Sequence, residues 1–216
     1  VKMKNNRCDE RSLVKAIEEL KKSGLKQVID SKIKEFRKIR TDSKQLFKEL
    51  CFCILTANFN AERCMKIQEE INEGFLTLTE KELIEKLREL GHRYPNVRAK
   101  YIVEARKYAN TLKEVISSFN NTKELRDWLV KNIKGIGYKE ASHFLRNIGY
   151  TDVAIIDFHI IDILTEYGLI ERPKTLTRKR YLEIEELLRK IARSVGLNLA
   201  ELDLYLWYMK TGKVLK

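Results

Sequence analysis

The chain has 216 residues, of which 44% are hydrophobic and 34% charged, with only two prolines and nine glycines. That composition excludes a disulfide-stapled miniprotein, a disordered chain and a collagen-like repeat, and it predicts a globular protein with a core of its own. Forty-three Lys and Arg against 31 Asp and Glu leave a net charge of +12, spread along the chain rather than gathered in a tail, and point to a polyanionic partner.

The first thirty residues are charged where a signal peptide would be apolar, and no run of eighteen apolar residues follows, so no membrane association and a cytoplasmic location are expected. Leu13, Ala16, Ile17 and Leu20 recur at i, i+3, i+4 and i+7 and predict a first amphipathic helix. Helices are expected next near 26–40 and 44–57. In the second of these, Cys51 and Cys53 lie in the apolar run Leu50 to Leu55, too closely spaced for a metal knuckle. With Cys8 and Cys64 they are expected to be free thiols. Further helices are predicted at 61–72, around Ile84, Leu87 and Leu90, and at 97–117, 122–132, 138–148, 158–167, 179–195 and 199–211. Gly91, Gly149, Gly168, Gly196 and Gly212 each follow an apolar-periodic segment and read as helix stops. Asn198 with Glu201 reads as a capping box for the last helix.

Alternating strand patterns are scarce, so the expected class is all-α. The best candidate for a seam between two helical lobes is 118–123. His92, His143 and His159 lack zinc-site spacing, and no transition metal or iron–sulfur cluster is expected. High charge with three glutamines also predicts a heat-stable protein.

The segment that carries chemistry runs from Leu129 to Leu164. Gly135 and Gly137 sit in Lys134-Gly135-Ile136-Gly137-Tyr138-Lys139, where two glycines allow a tight hairpin whose amides approach a phosphate at the next helix start. A plain helix–helix turn would explain them too. In the following helix, Ala141, Phe144, Leu145 and Ile148 form one apolar stripe, and Lys139, His143 and Arg146 cluster opposite. Lys139 falls in the first turn, where the positive helix end disfavours an ammonium, as amine nucleophiles require. From spacing alone, a solvated face with an ordinary lysine serves as well. Asp157, between Val153-Ala154-Ile155-Ile156 and the next helix, reads as an N-cap. A capping carboxylate is rigidly aimed, and beside an amine it can stabilise positive charge developing on a sugar.

Hairpin Lys134 to Lys139 followed by Asp157-Phe158-His159 resembles the helix-hairpin-helix DNA glycosylase superfamily. Within it, Leu55-Thr56-Ala57-Asn58, Leu90-Gly91-His92-Arg93, the run from Gly135 to His143 and the terminal Trp207 to Lys216 resemble the prokaryotic type-2 8-oxoguanine DNA glycosylases with AP lyase activity. The likeness covers about residues 12–216. It implies a two-lobed all-α fold with the active site in the cleft between lobes, and a helix-hairpin-helix element at about 123–148. It also implies an enzyme that flips 8-oxoguanine out of duplex DNA, excises it and nicks the strand by β-elimination.

By the same resemblance, Lys139 attacks the anomeric carbon and forms a Schiff base, and Asp157 stabilises the oxocarbenium-like transition state. Gly135 and Gly137 hold a backbone phosphate, with a monovalent cation at the hairpin as the one possible cofactor. Asn58 lies near the gap left by the flipped base and Arg63 contacts the opposite base, although a helix cap and a surface arginine account for them equally. His143, Trp207 and Lys216 recognise the damaged base, while core packing remains a competing explanation for Trp207. Tyr94, Pro95 and Val97 fall near where relatives insert a wedge into the duplex. Phe158 stands where relatives often carry a polar or basic residue. The implied partner is double-stranded DNA containing 8-oxoguanine, the family default is a monomer, and the implied location is the nucleoid. Two other readings stay open. A noncatalytic helix-hairpin-helix module leaves Lys139 and Asp157 unexplained. An oxidised-pyrimidine glycosylase of the endonuclease III type usually has a C-terminal four-cysteine cluster, yet no cysteine follows Cys64.

Overall fold

The computed structural model describes residues 9–216. Cys8 lies outside them. The described residues form α-helices joined by short connections, with no strand among them. In chain order the helices are α1 (Glu10–Lys21), α2 (Leu25–Ile39), α3 (Ser43–Thr56), α4 (Ala61–Ile71), α5 (Gly74–Thr77), α6 (Glu80–Glu89) and α7 (Pro95–Ala105). A 3-10 turn (Arg106–Tyr108) leads on to α8 (Leu112–Ser117), α9 (Thr122–Asn132), α10 (Tyr138–Asn147), α11 (Phe158–Glu166), α12 (Arg178–Ser194) and α13 (Leu199–Thr211). Among the described residues, no helix is long and apolar enough to cross a membrane.

The chain divides into two compact units. One runs to Ile33 and resumes over Thr151–Leu215; the other is Lys34–Tyr150 together with Lys216. The division therefore falls inside α2 and after Tyr150. The stretch 118–123 is a short connection inside the second unit, where the Asn121 side chain caps α9. At the first crossing nothing in local composition marks the division, because a continuous helix carries it.

In the second unit α3 is the central helix: every residue from Leu46 to Thr56 is buried, and α4, α7, α8 and α10 pack on it. Its sequence is apolar on all sides apart from Lys48, Glu49 and Thr56, as an enclosed helix requires. Each of Phe47, Leu50, Phe52, Ile54 and Leu55 is fully buried, worth about 1.5–3 kcal/mol apiece. Asp42 starts this helix, its Oδ1 accepting the Lys44 and Gln45 amides at 2.9 and 3.1 Å. In the first unit, α1 packs on α12 and α13, and α13 on α11 and α12. Tyr181, Ile184, Leu188 and Ile191 form the buried stripe of α12.

The five glycines read as helix stops all lie just past helix ends at positive φ. Asn198 and Glu201 form the expected capping box. The single helix expected over 97–117 is instead α7, the 3-10 turn and α8. At the tightening the Arg106 Nε donates to the Phe75 carbonyl at 2.8 Å, and the Ala109 and Thr111 amides donate three residues back, to the Arg106 and Tyr108 carbonyls, in place of the α-helical ladder. At four residues, α5 is too short to leave a periodic signal.

Candidate active site

The hairpin joins α9 to α10. Gly135 has φ +82°, and a Cβ there would stand 2.4 Å from the Tyr101 ring, so conformation and space both demand glycine. Gly137 has ordinary extended geometry as the N-cap of α10. Its amide donates to Glu140 Oε2 at 3.1 Å, while Glu140 Oε1 pairs with Lys139 Nζ at 3.2 Å. One carboxylate thus ties the hairpin backbone to the lysine ammonium, a counter-charge acting against the positive helix end.

One turn on, His143 is 7% exposed. Burial, reinforced by the charges of Arg146 and Lys139, holds its pKa well below the usual histidine value. The ring meets Phe52 edge-on at 5.5 Å, and Nε2 is buried without a hydrogen-bond partner. The cationic side of α10 is not a solvated face, since His143 and Arg146 are both buried and the Arg146 guanidinium lies 4.8 Å from the Phe36 ring centroid. Lys216 joins this cluster. Its ammonium pairs with Glu49 at 2.9 Å and sits 4.3 Å from the Phe52 ring centroid.

Asn58 lies in the α3–α4 connection and Arg63 in the first turn of α4. Asn58 is exposed at φ +56°, a left-handed conformation uncommon for a residue with a side chain. It is not the cap of α4; Asn60 is, accepting the Arg63 amide at 2.9 Å. Two buried cationic-type side chains fix the turn before Asn58. His92 Nδ1 accepts the Tyr94 amide, so Nε2 donates to the Leu55 carbonyl at 3.0 Å, and Arg98 donates to the Ala57 carbonyl at 2.7 Å. Arg63 is exposed and donates to the Gly91 carbonyl at 2.9 Å. Among the wedge candidates, Pro95 opens α7, Tyr94 is half-buried and Val97 is 46% exposed.

Asp157, in the other unit, caps α11 through Oδ1, which accepts the Ile160 amide at 3.0 Å. The buried extended segment before it is pinned to α12. The Ala154 amide donates to Glu185 at 2.9 Å, and the Tyr181 hydroxyl donates to the Ala154 carbonyl at 2.6 Å while accepting the Ile156 amide at 3.2 Å. The carboxylate is therefore aimed by both its helix and its approach. Phe158 is 66% exposed. His159 stacks on it and meets Trp207 edge-on at 4.7 Å, and the Trp207 Nε1 is buried without a partner.

The fold thus gathers Lys139, Gly137, His143 and Lys216 in one unit and Asp157 and Trp207 in the other. Sequence reasoning missed Glu140 and Glu49. The first was visible as an acid three residues after the N-cap glycine, the second as the lone acid inside the apolar run of α3. Cys51, Cys53 and Cys64 are free and buried, and burial pushes the Cys64 thiol up to about 12.

The profile of the family described as 8-oxoguanine DNA glycosylase matches residues 29–197. A protein of Korarchaeum cryptofilum named 8-oxoguanine DNA glycosylase/AP lyase is 57% identical over 205 residues, 94% of this chain and 98% of its own. The crystal structure of the Methanocaldococcus jannaschii 8-oxoguanine glycosylase/lyase with a 15mer DNA containing 8-oxoguanine superposes with a TM-score of 0.92 at 59% identity, covering 94% of this chain and 99% of that one. The 8-oxoguanine DNA glycosylase of Thermotoga maritima superposes with a TM-score of 0.90 at 45% identity, covering 96% and 100%.

Proposed function

This chain belongs to the 8-oxoguanine DNA glycosylase family, and from that membership we propose how its own residues carry the reaction. It is a bifunctional DNA glycosylase and AP lyase that acts on 8-oxoguanine in duplex DNA. The damaged nucleotide leaves the stack, because its sugar carbon is otherwise out of reach. Lys139, having given up its ammonium proton, attacks the anomeric carbon as the glycosidic bond breaks and the base leaves with the bonding pair; the sugar's C1′–O4′ bond then opens, O4′ taking a proton, to give a Schiff base. Loss of a sugar proton next to the imine expels the 3′ phosphate and nicks the strand. Asp157 stabilises positive charge on the sugar as the base departs. The observation that carries this reading is Lys139 itself, a first-turn lysine behind a glycine hairpin, about one quarter exposed and ion-paired with the neighbouring Glu140.

The amides of Gly135 and Gly137 suit a backbone phosphate, a contact that positions the duplex without reading its sequence. Such a phosphate displaces Glu140 from the Gly137 amide. Asn58 and Arg63 face the bases at the flipped position, and His143, Trp207 and Lys216 contact the damaged base. The hairpin carbonyls are hard oxygen donors of the kind a monovalent cation takes. A cation held by Gly135 and its neighbours would lend charge to the phosphate, and no chemical step runs through it. A monomer associated with the nucleoid completes the reading.

Borohydride trapping on a duplex with one 8-oxoguanine opposite cytosine tests it. The native protein is expected to form a covalent adduct and Lys139→Gln none. An adduct on thymine glycol instead of 8-oxoguanine would favour the oxidised-pyrimidine reading, and binding without any adduct the noncatalytic module.

A further inference from the structure

Glu49 sits on the most enclosed helix of the protein and is 2% exposed. A carboxylate in that position is costly unless it is paired and hydrogen-bonded. Its oxygens accept from three elements. Oε1 takes the Asn147 amide of α10 at 2.6 Å, and Oε2 takes Gln68 of α4 at 3.3 Å and the Lys216 ammonium at 2.9 Å. Of the three donors only Lys216 carries charge. The same ammonium donates to Gln68 Oε1 and lies against Phe52, whose ring meets His143 edge-on. Lys216 lies four residues beyond Gly212, the C-cap of α13.

We propose that Glu49 is the positioning residue for base discrimination, a buried carboxylate that fixes Lys216 beside Phe52 and His143 before DNA arrives. This rests on Lys216 being a base-recognising residue. A lysine already ordered by Glu49 need not be ordered when the base enters, so its selectivity is not spent on immobilising a long side chain. Gln at position 49 keeps the size and one acceptor but removes the counter-charge that holds the ammonium.

The test is single-turnover excision of 8-oxoguanine against guanine, with thermal melting as a check on folding, for the native protein, Glu49→Gln, deletion of Lys216, the double variant and Gln68→Ala. Glu49→Gln is expected to lower selectivity about tenfold, and the double variant to be no worse than the Lys216 deletion, as two residues acting through one contact require. Losses that add in the double variant, or a Glu49→Gln variant that keeps full selectivity while the deletion loses it, overturn the proposal. A deletion that keeps full selectivity overturns the reading of Lys216 and the proposal with it, an outcome distinct from failure of Glu49 alone. Should Glu49→Gln not fold, Gln68→Ala removes the second anchor without orphaning a buried charge. It must then lower selectivity by a smaller factor, and unchanged selectivity rejects the anchor.

Discussion

Asp157 caps α11 through its side chain, and asparagine caps a helix as well as aspartate does. Asp157→Asn therefore separates charge from cap. Its excision and lyase rates are expected to fall by about 10²–10³-fold, the scale of losing one preorganised electrostatic group, with a nearly unchanged melting temperature. Asp157→Ala loses the cap as well, about 1 kcal/mol of stability. An Asn variant that keeps its rate would make the residue a cap and nothing more. The buried histidines offer a second measurement. His92 and His143 both have pKa values below the ordinary 6.5, chiefly through burial. A base whose folded pKa is depressed takes up a proton on unfolding, so its contribution to stability is complete above 6.5 and is lost as pH falls below it. The melting temperature is expected to drop between about pH 7 and pH 5.5, above the range where carboxylates titrate. Protonation would also break the hydrogen bond that the Tyr94 amide donates to His92 Nδ1, which helps hold the turn before Asn58. A melting temperature that rises over that interval would contradict the burial of both rings.

At the scale of the element, the hairpin glycines are not equivalent. Gly135→Ala puts a Cβ at φ +82° and 2.4 Å from the Tyr101 ring, and should cost about 1–3 kcal/mol. Gly137→Ala meets only Glu140 Oε2, at 3.2 Å from an extended backbone. It should fold nearly normally and show its effect in DNA affinity, because the Cβ crowds the amide that a phosphate approaches. Denaturant unfolding and duplex binding of the two variants separate these costs. Equal losses of stability would mean the hairpin is strained at both positions. The helices themselves were largely legible, since apolar spacing is a local property. The exceptions were α5, too short to be periodic, and the break after α7, which the long-range bond from Arg106 to the Phe75 carbonyl helps to set.

For the whole molecule, a net charge of +12 predicts that duplex affinity falls linearly in log–log form with salt, by about 0.9 per phosphate neutralised. Filter-binding or fluorescence titration across salt concentrations checks it, and a flat response would remove the electrostatic footprint. The same charge density predicts a melting midpoint above the roughly 45–65 °C of mesophilic domains. A midpoint inside that range rejects the expectation.

By itself the sequence determined the all-α class, most helix positions, the glycine stops, the hairpin with Lys139 and the capping Asp157. All of these follow from spacing along a few turns of chain. Only the tertiary structure decided that the division runs through α2, that the cationic side of α10 faces inward, that Glu140 holds Lys139, and that Glu49 holds the last residue. Those outcomes depend on which distant groups meet. Glu49 and Lys216 stand 167 residues apart in the sequence, and no local pattern shows that burying one charge requires the other.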